Sequence, residues 1–288
     1  MLWNRRGDSI DFFHFHIQMI QRSTGRSAVA AAAYRSGARI VNTWDGTVHD
    51  YTRKQHVIYN EVMLPVNAPP HFADRSMLWN SVEWAEKKRD AQLAREVEMA
   101  LPKELPRVAQ IKLVRKFVQK EFVDAGMCAD VAIHDKEDGN PHAHILLTVR
   151  PLNSDGSWAQ KSRLVYDLDD AGQRIALPNG RWKCHKENMV DWDHRQNTEK
   201  WRKAAAETIN EALQEYGFSQ DFVDHRSYAR QNVQQIPTVH EGAQIRMMEK
   251  RGIHTAIHAR NLEITLTNGQ IRQLQARLAR LNAWAKHE

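Results

Sequence analysis

The sequence predicts an α+β domain, in which amphipathic β-strands form a sheet and helices pack against its apolar face. Residues 12–20 alternate apolar and polar side chains, which is typical of a strand with one buried face. Residues 107–125 instead repeat apolar side chains at the spacing of an amphipathic helix. Two strand-like runs, residues 129–134 and 142–150, flank a turn-rich connector and therefore predict a β-hairpin.

Between the first strand and residue 65, the pattern predicts one helix and one further strand. Ser27 is a suitable N-cap for an alanine-dense helix over residues 28–40. Residues 42–55 are polar and irregular, with an Asp-Gly turn signal. Residues 57–64 are then expected to form a strand, which ends at a proline.

The middle of the chain alternates between helical and extended patterns. Asp74 is positioned to cap a helix that we expect over residues 75–92. Alternation of side-chain character resumes in residues 93–102, which predicts another strand. The helix over residues 107–125 has Gly126 in the position of a C-cap.

The last part of the chain is loop-rich and basic after residue 150, up to a helix near residues 198–216. A final helical segment carries four apolar side chains at heptad-like spacing, which are Ile271, Leu274, Leu278 and Leu281. Because barely two heptads are present, we expect a packed surface helix rather than an extended coiled coil. We therefore divide the chain into a main domain of residues 1–255 and a C-terminal helical segment of residues 256–288.

The composition favours a polyanionic partner and a reducing compartment. The 288 residues include 41 Lys and Arg against 35 Asp and Glu, which gives a net charge of +6. This excess suits binding to DNA phosphates, although many mildly basic proteins bind no nucleic acid. Two cysteines exclude a disulfide framework and a Cys-rich zinc site. Since no signal peptide and no apolar stretch of about 20 residues is evident, we expect a cytoplasmic protein without membrane insertion.

Three histidines in the predicted hairpin give the strongest indication of a functional site. His142 and His144 lie two residues apart on one strand and therefore project from the same face. The connector would bring His134 beside them from the neighbouring strand. Three imidazoles on one face predict a catalytic metal site that keeps positions open for substrate oxygen atoms. The alternative, surface histidines without a ligand in a chain with 15 histidines, explains this spacing less well.

Other polar residues on predicted strands are candidates for the same site. Glu96 and Glu98 share a strand face, so either is a candidate metal neighbour or general base. A solvated acidic face explains that pattern nearly as well. His14 and His16 are also two residues apart, but they lack a third partner nearby in the sequence, so we expect them to be wall or DNA-contact residues.

Tyr34, near the end of the alanine-dense helix, is a candidate nucleophile. Small side chains allow this helix to lie close to a sheet, so that one large ring projects beyond the packed layer. The neighbouring Arg26, Arg35 and Arg39 would form a surface for a phosphate. A half-buried structural tyrosine is the alternative, and the pattern alone does not choose among the six tyrosines.

Several motifs, in this order along the chain, resemble one family. The segments FHFHIQMIQRSTGRSAVAAAAYRSG, LAREVEMALP and NPHAHILLTVR resemble the MobA/MobL relaxases, the MOBQ group of the HUH endonucleases. DHRSYARQ and the following IPTVHEG resemble the downstream block of that family, and the match covers roughly residues 12–255. The extra residues 1–11 depart from the pattern. The resemblance implies a central antiparallel β-sheet with helices packed on one face, plus C-terminal helices.

The resemblance also implies an activity and its residues. Enzymes of this group nick one DNA strand at an origin of transfer, form a 5′-phosphotyrosyl intermediate and later religate the strand, in plasmid mobilisation and conjugation. Tyr34 is thereby identified as the nucleophile, and Glu96 as a base, an orienting residue or a ligand. The implied ligands of a divalent ion, Mg²⁺ or Mn²⁺, are His134, His142 and His144. The implied partners in the bacterial cytoplasm are single-stranded or supercoiled origin DNA, accessory relaxosome proteins and a type IV coupling protein.

Basic residues and tryptophans beyond the metal hairpin are the predicted DNA contacts. The basic residues expected to follow the backbone, in addition to those near Tyr34, are Arg150, Lys161, Arg163, Arg181, Lys183 and Arg226. Trp158, Trp182 and Trp192 are candidate platforms for unpaired bases. The alternative functions are an HUH-type rolling-circle initiator or transposase, a non-cutting module that binds origin DNA, and a phosphoesterase that uses water.

Overall fold

A computed structural model describes residues 13–136, 140–218, 221–239 and 241–285. The chain divides into two compact units, Met1–His225 and Arg226–Glu288. The predicted functional boundary at residue 255 stays a prediction. Outside the described residues lie residues 1–11, which depart from the family pattern, part of the connector between the hairpin strands, and the last three residues of the C-terminal segment.

The first unit contains nine strands and four α-helices among its described residues. The strands are β1 (Phe15–Gln21), β2 (Arg39–Val41), β3 (Val48–Asp50), β4 (Val57–Met63), β5 (Gln92–Ala100), β6 (Ala129–His134), β7 (His142–Thr148), β8 (Ser162–Tyr166) and β9 (Cys184–Asn188). The helices are α1 (Ala28–Ser36), α2 (Arg75–Ala85), α3 (Arg107–Val118) and α4 (Arg195–Glu215). The second unit contains α5 (Ala243–Lys250) and α6 (Ala256–Ala285).

Five strands form one sheet, in the order β1-β5-β7-β6-β4, and every neighbouring pair is antiparallel. The predicted α+β class with an antiparallel sheet is confirmed. The predicted hairpin is also confirmed, since β6 and β7 pair directly and His134 lies opposite His142. Two further pairs, β2 with β3 and β8 with β9, form small separate ribbons.

Helices cover both faces of the sheet, and not the one face that was predicted. On one face, Val97, Val131 and Ile145 are fully buried in a core that includes Phe117 of α3 and Trp201 of α4. On the opposite face, α1 and α2 cover one end of the sheet, in a second core that contains Ile20, Ala94 and Leu146. Glu96 and Glu98 of β5, His134 of β6, and His142 and His144 of β7 project from this second face.

Three predicted helices end earlier than the pattern suggested. The helix predicted over residues 107–125 is α-helical only to Val118 and continues as a π-helical turn, Gln119–Val123. α2 ends at Ala85 rather than near residue 92, because Arg22 binds the carbonyl oxygen of Glu83 in its last turn and those of Glu86 and Lys88 just after it. The alanine-dense helix ends at Ser36 rather than at residue 40, because Gly37 adopts the left-handed conformation that closes a helix.

The segments interpreted as irregular contain short strands. Residues 39–50 form the β2–β3 ribbon around the predicted Asp-Gly turn, and Gly46 has the positive φ of 75° that this turn requires. Between residues 151 and 194, the ribbon of β8 and β9 was likewise not predicted. Ser27 and Asp74 cap α1 and α2 as predicted, each accepting a hydrogen bond from a backbone N–H of the first turn.

In the second unit, the first half of α6 is packed and the second half is exposed. Asn268 is buried, and its side-chain amide exchanges two 2.8 Å hydrogen bonds with the backbone of Ile236. Three of the four heptad residues, Leu274, Leu278 and Leu281, are exposed, so the expectation of a packed surface helix is wrong for this half. Among the described residues, no helix has the length and apolar character needed to cross a membrane.

Candidate metal centre and nucleophile

Three histidines meet on the second face of the sheet, in the part that α1 and α2 leave open. His134 ends β6, while His142 and His144 belong to β7, so the hairpin brings all three rings together. Ring centroids lie 5.6 Å apart for His134 and His142, 4.7 Å for His134 and His144, and 5.0 Å for His142 and His144. One nitrogen of each ring lies within 4.8 Å of the others, a spacing that can hold a metal ion. The predicted cluster is therefore confirmed as a geometric arrangement.

Each ring is oriented through one of its nitrogens. His134 Nε2 lies 2.6 Å from the carbonyl oxygen of Arg35, and His142 Nδ1 lies 2.9 Å from that of Asn140. His144 Nδ1 lies 3.1 Å from Oε1 of Glu96. A carbonyl or carboxylate behind the imidazole fixes the tautomer and leaves the other ring nitrogen for an ion.

The protonation state of the rings also fits a metal. Burial lowers the pKa of His134 to about 3, despite an opposing hydrogen bond to the Arg35 carbonyl. Burial likewise lowers the pKa of His142. Both rings are therefore neutral at pH 7, which is the form that donates an electron pair to a metal.

Glu96 is the buried carboxylate behind this cluster. Its oxygens accept hydrogen bonds from Nε and Nη2 of Arg35, from Nε2 of Gln18 at 2.7 Å and from His144. Burial alone would raise its pKa, but the hydrogen bonds from His144 and Arg35 outweigh burial and lower the pKa to about 2. Glu96 is thus an ionised carboxylate, and both of its oxygens already accept hydrogen bonds. Glu98 is one-third exposed and lies farther away, with an oxygen 4.0 Å from His144 Nδ1.

Helix α1 places Tyr34 at the edge of the same site. Its buried alanines pack against the sheet and α2, and they are Ala28, Ala31, Ala32 and Ala33. Tyr34 itself is 46% exposed. The next residue, Arg35, binds Glu96 through its side chain and His134 through its carbonyl, so the backbone beside Tyr34 is fixed to the histidine cluster.

Two residues near Tyr34 were missed by sequence reasoning. Lys54 Nζ lies 2.9 Å from the carbonyl oxygen of Tyr34, 3.7 Å from the centroid of its ring and 3.5 Å from His134 Nε2. Burial lowers the pKa of Lys54 to about 8, and the charges of Arg35 and Lys136 add to this effect. Tyr51 packs edge-on against Tyr34, with 5.2 Å between ring centroids. Both residues belong to the segment interpreted as irregular, which offered no periodic signal.

The predicted phosphate surface near Tyr34 is only partly available. Arg35 is committed to its ion pair with Glu96 and has only 14% of its side chain exposed. Arg26 lies at the same carboxylate, at 3.9 Å, and donates to Gln18. Arg39 is more exposed and lies 3.7 Å from Asp50 on the β2–β3 ribbon.

The other predicted DNA contacts lie in three places. Arg150 and Lys161 both pair with Glu86, at the end of β7 opposite to His142, so the structure does not bring them to the histidines. Arg163 lies on the β8–β9 ribbon and pairs with Glu187. Lys183 and the exposed Arg181 lie in the loop before β9, where Lys183 pairs with Asp167. Arg226 is exposed in the second unit.

The tryptophan prediction is wrong for two of its three residues. Trp192 is buried in the main core, and Trp158 stacks on Phe72 and donates a 2.7 Å hydrogen bond to Ser81. Both rings therefore fill protein interior and offer no free face to a base. Trp182 is 48% exposed and remains a candidate platform.

The histidine pair at the start of the sheet flanks the site without joining the cluster. His16 is exposed on β1 and pairs in register with Glu98, while His14 Nε2 lies 3.7 Å from a Glu98 oxygen. The position of both residues agrees with the expected wall of the site.

Comparison with known proteins assigns the family. The model of the MobA/MobL family matches residues 26–251, which include Tyr34, Glu96 and the three histidines. The chain belongs to this family. It is 31% identical over 285 residues to the probable mobilization protein MobA of Bifidobacterium longum, and 35% identical over 255 residues to the conjugal transfer protein TraA of Agrobacterium fabrum. These alignments cover 93% and 83% of the chain.

A solved structure of a similar protein supports the fold. Its title is "Molecular Basis of Vancomycin Resistance Transfer in Staphylococcus aureus", and it is 31% identical to this MobA/MobL protein with a TM-score of 0.64. The similarity covers 75% of this chain and all of that chain. By contrast, the chain spans 50% of the Bifidobacterium relative and 22% of the Agrobacterium relative.

Proposed function

We propose that this protein nicks one strand of DNA at an origin of transfer, with Tyr34 as the nucleophile. The observation that carries the proposal is the connection of Tyr34 to the histidine cluster through Arg35 and Lys54. Arg35, the next residue, binds His134 through its carbonyl, and Lys54 lies against both the Tyr34 ring and His134. A half-exposed phenol beside three clustered imidazoles is an arrangement suited to metal-assisted transesterification.

The proposed reaction exchanges one phosphate ester for another. The Tyr34 oxygen attacks the scissile phosphorus and loses its proton, while the bond from phosphorus to the 3′ oxygen breaks and that oxygen takes up a proton. The products are a 5′-phosphotyrosyl link and a free 3′-hydroxyl. Because no water is consumed, the reverse attack religates the strand at the same site.

The histidines are proposed as the ligands of a divalent ion, Mg²⁺ or Mn²⁺. Three imidazole nitrogens are a donor set that fits Mn²⁺ better than Mg²⁺, which prefers oxygen ligands. When bound, such an ion supplies positive charge to a non-bridging phosphate oxygen. Glu96 is proposed to orient His144 rather than to act as a base or a ligand, because both of its oxygens are already occupied by donors.

DNA is proposed to approach the open face of the sheet. His16 and Gln18 of β1 border that face, and Arg26 and Arg39 stand near its α1 side. The exposed β8–β9 ribbon, with Arg163, Arg181, Lys183 and Trp182, is a proposed second contact, as is Arg226. Relaxosome proteins and a type IV coupling protein are the proposed partners in a bacterial cytoplasm.

A gel assay under denaturing conditions tests this proposal. The protein is incubated with Mn²⁺ or Mg²⁺ and a labelled single-stranded origin oligonucleotide from its own plasmid. We expect a covalent protein–DNA adduct, which Tyr34→Phe abolishes while oligonucleotide binding is retained. Product with a free 5′-phosphate and no adduct would instead indicate attack by water, and an adduct retained by Tyr34→Phe would indicate another nucleophile.

A further inference from the structure

Lys54 lies between Tyr34 and His134 of the histidine cluster. We infer, as an extension of the proposed function, that Lys54 is a positioning residue that fixes the ring of Tyr34 and keeps a positive charge on its face during attack. The sequence pattern did not single out this lysine, and it lies in the loop between β3 and β4.

Two contacts of one ammonium group, together with its position beside His134, carry the inference. Nζ donates to the backbone carbonyl of Tyr34 at 2.9 Å and lies 3.7 Å from the centroid of the Tyr34 ring. It also lies 3.5 Å from His134 Nε2. The backbone contact fixes the end of α1, and the ring contact is a cation–π interaction that restricts rotation of the phenol. One side chain thus restrains both the backbone and the ring of the nucleophile.

The loop that carries Lys54 is itself held in place. Its backbone N–H binds the carbonyl of Tyr51 at 2.9 Å, and the Tyr51 N–H binds the carbonyl of Ala38 just after α1. At Gly37, an added Cβ would lie 3.4 Å from Val57 and 3.8 Å from the Lys54 carbonyl, so the loop packs directly on the end of α1. The ammonium group is therefore presented from a fixed backbone.

The partners of this ammonium group are electrically neutral. A carbonyl, a phenol ring and an imidazole surround it, and among the described residues no carboxylate lies within 4.0 Å of Nζ. By contrast, the nearby Arg35 has its charge balanced by Glu96. The positive charge of Lys54 is consequently available to the negative charge that develops on the tyrosyl oxygen and the phosphate during attack.

Single-turnover formation of the covalent adduct at saturating oligonucleotide and Mn²⁺ tests the inference in the full chain. Lys54→Met removes the charge, and we expect the rate to fall about 100-fold, the scale of a misplaced reacting group. Lys54→Arg restores a cation, and we expect a rate within about tenfold of wild type. Oligonucleotide binding, followed by fluorescence anisotropy, should change less than about threefold in both variants, since the loss concerns the reaction step.

Arg53→Met is the matched control, because it removes one exposed positive charge from the same loop. We expect this control to keep the wild-type rate. A rate for Lys54→Met close to wild type, or an equal loss in Arg53→Met, would overturn the inference. If Tyr34→Phe itself still formed the adduct, the proposed nucleophile would be wrong, which is a separate outcome.

A second measurement needs neither DNA nor metal. Lysines dimethylated with ¹³C-formaldehyde give methyl signals in NMR spectra, and the ring current of Tyr34 should shift the Lys54 signal upfield. Tyr34→Leu should return this signal to the position of the exposed lysines. An unshifted Lys54 signal in the wild-type protein would show that the ring contact does not exist in solution.

Discussion

Replacing Glu96 with Gln removes one of the two acceptor oxygens behind the histidine cluster. In the wild type, Oε1 accepts from Arg35 Nε and His144, and Oε2 accepts from Arg35 Nη2 and Gln18. Whichever way the Gln amide is turned, its NH₂ group faces an Arg35 donor, so at least two hydrogen bonds are lost. The variant therefore retains the shape of the side chain and loses its electrostatic fit.

The expected magnitude follows from the same contacts. The pKa of Glu96 is lowered from 4.5 to about 2, which corresponds to about 3 kcal/mol of preference for the carboxylate in the folded state. This stabilisation is present at pH 7, above the unfolded pKa, so Glu96→Gln should reduce the free energy of unfolding by about 3 kcal/mol. Loss of an orienting carboxylate typically costs about 10- to 100-fold in metal affinity, and we expect that loss here.

Glu98→Gln is the matched control, since Glu98 lies on the same strand face but is one-third exposed and 4.0 Å from His144. Urea unfolding of the metal-free proteins measures stability, and calorimetric titration with Mn²⁺ measures affinity. We expect the Glu98 variant to lose less than about 1 kcal/mol and to bind Mn²⁺ nearly as the wild type does. Equal losses in the two variants, in both measurements, would refute the orienting role of Glu96.

Three further predictions concern the fold and the DNA surface. Ellman's reagent should react rapidly with Cys184, which is exposed, and not with Cys128 until unfolding, because burial raises the pKa of the Cys128 thiol to about 12. Two rapidly reacting thiols in the native protein would contradict the burial of Cys128 in the second core. Arg75→Met should reduce the free energy of unfolding by about 3 kcal/mol, measured in urea, because it leaves the buried carboxylate of Asp130 without its ion-pair partner. Trp182→Ala should weaken binding of a single-stranded oligonucleotide by about 1–3 kcal/mol in anisotropy titrations, and unchanged affinity would remove this ring from the DNA surface.

The metal hairpin was predictable because its signal is local. Residues two apart on a strand share a face, so His142 and His144 had to project together, and a short connector had to return His134 beside them. The exposure of Tyr34 followed in the same way from the alanines that let α1 lie close to the sheet. In both cases, the spacing of residues close in the sequence was enough to predict which way the side chains project.

Other contacts of the site depend on partners distant in the chain. Arg35 was interpreted as a phosphate ligand, but it pairs with Glu96, 61 residues later, because only the folded sheet brings the two together. Lys54 reaches the site from a segment without periodicity, and α2 ends where Arg22 binds its last carbonyls. An ionic side chain shows its charge in the sequence but does not show which opposite charge it will meet.

The end of α1 explains how nucleophile and metal centre are held together. The last carbonyls of a helix have no partner within the helix and need donors from elsewhere. In α1, the carbonyl of Tyr34 accepts from Lys54, and the carbonyl of Arg35 lies 2.6 Å from His134 Nε2. At the other end, Glu83 of α2 accepts from the Ala28 N–H and the Ser27 hydroxyl, so the helix is fixed at both ends. Residues of the site satisfy the carbonyls beside the nucleophile, so a displacement of α1 would break the contacts that orient His134 and Lys54. The tyrosine and the histidine cluster are therefore positioned as one structural unit.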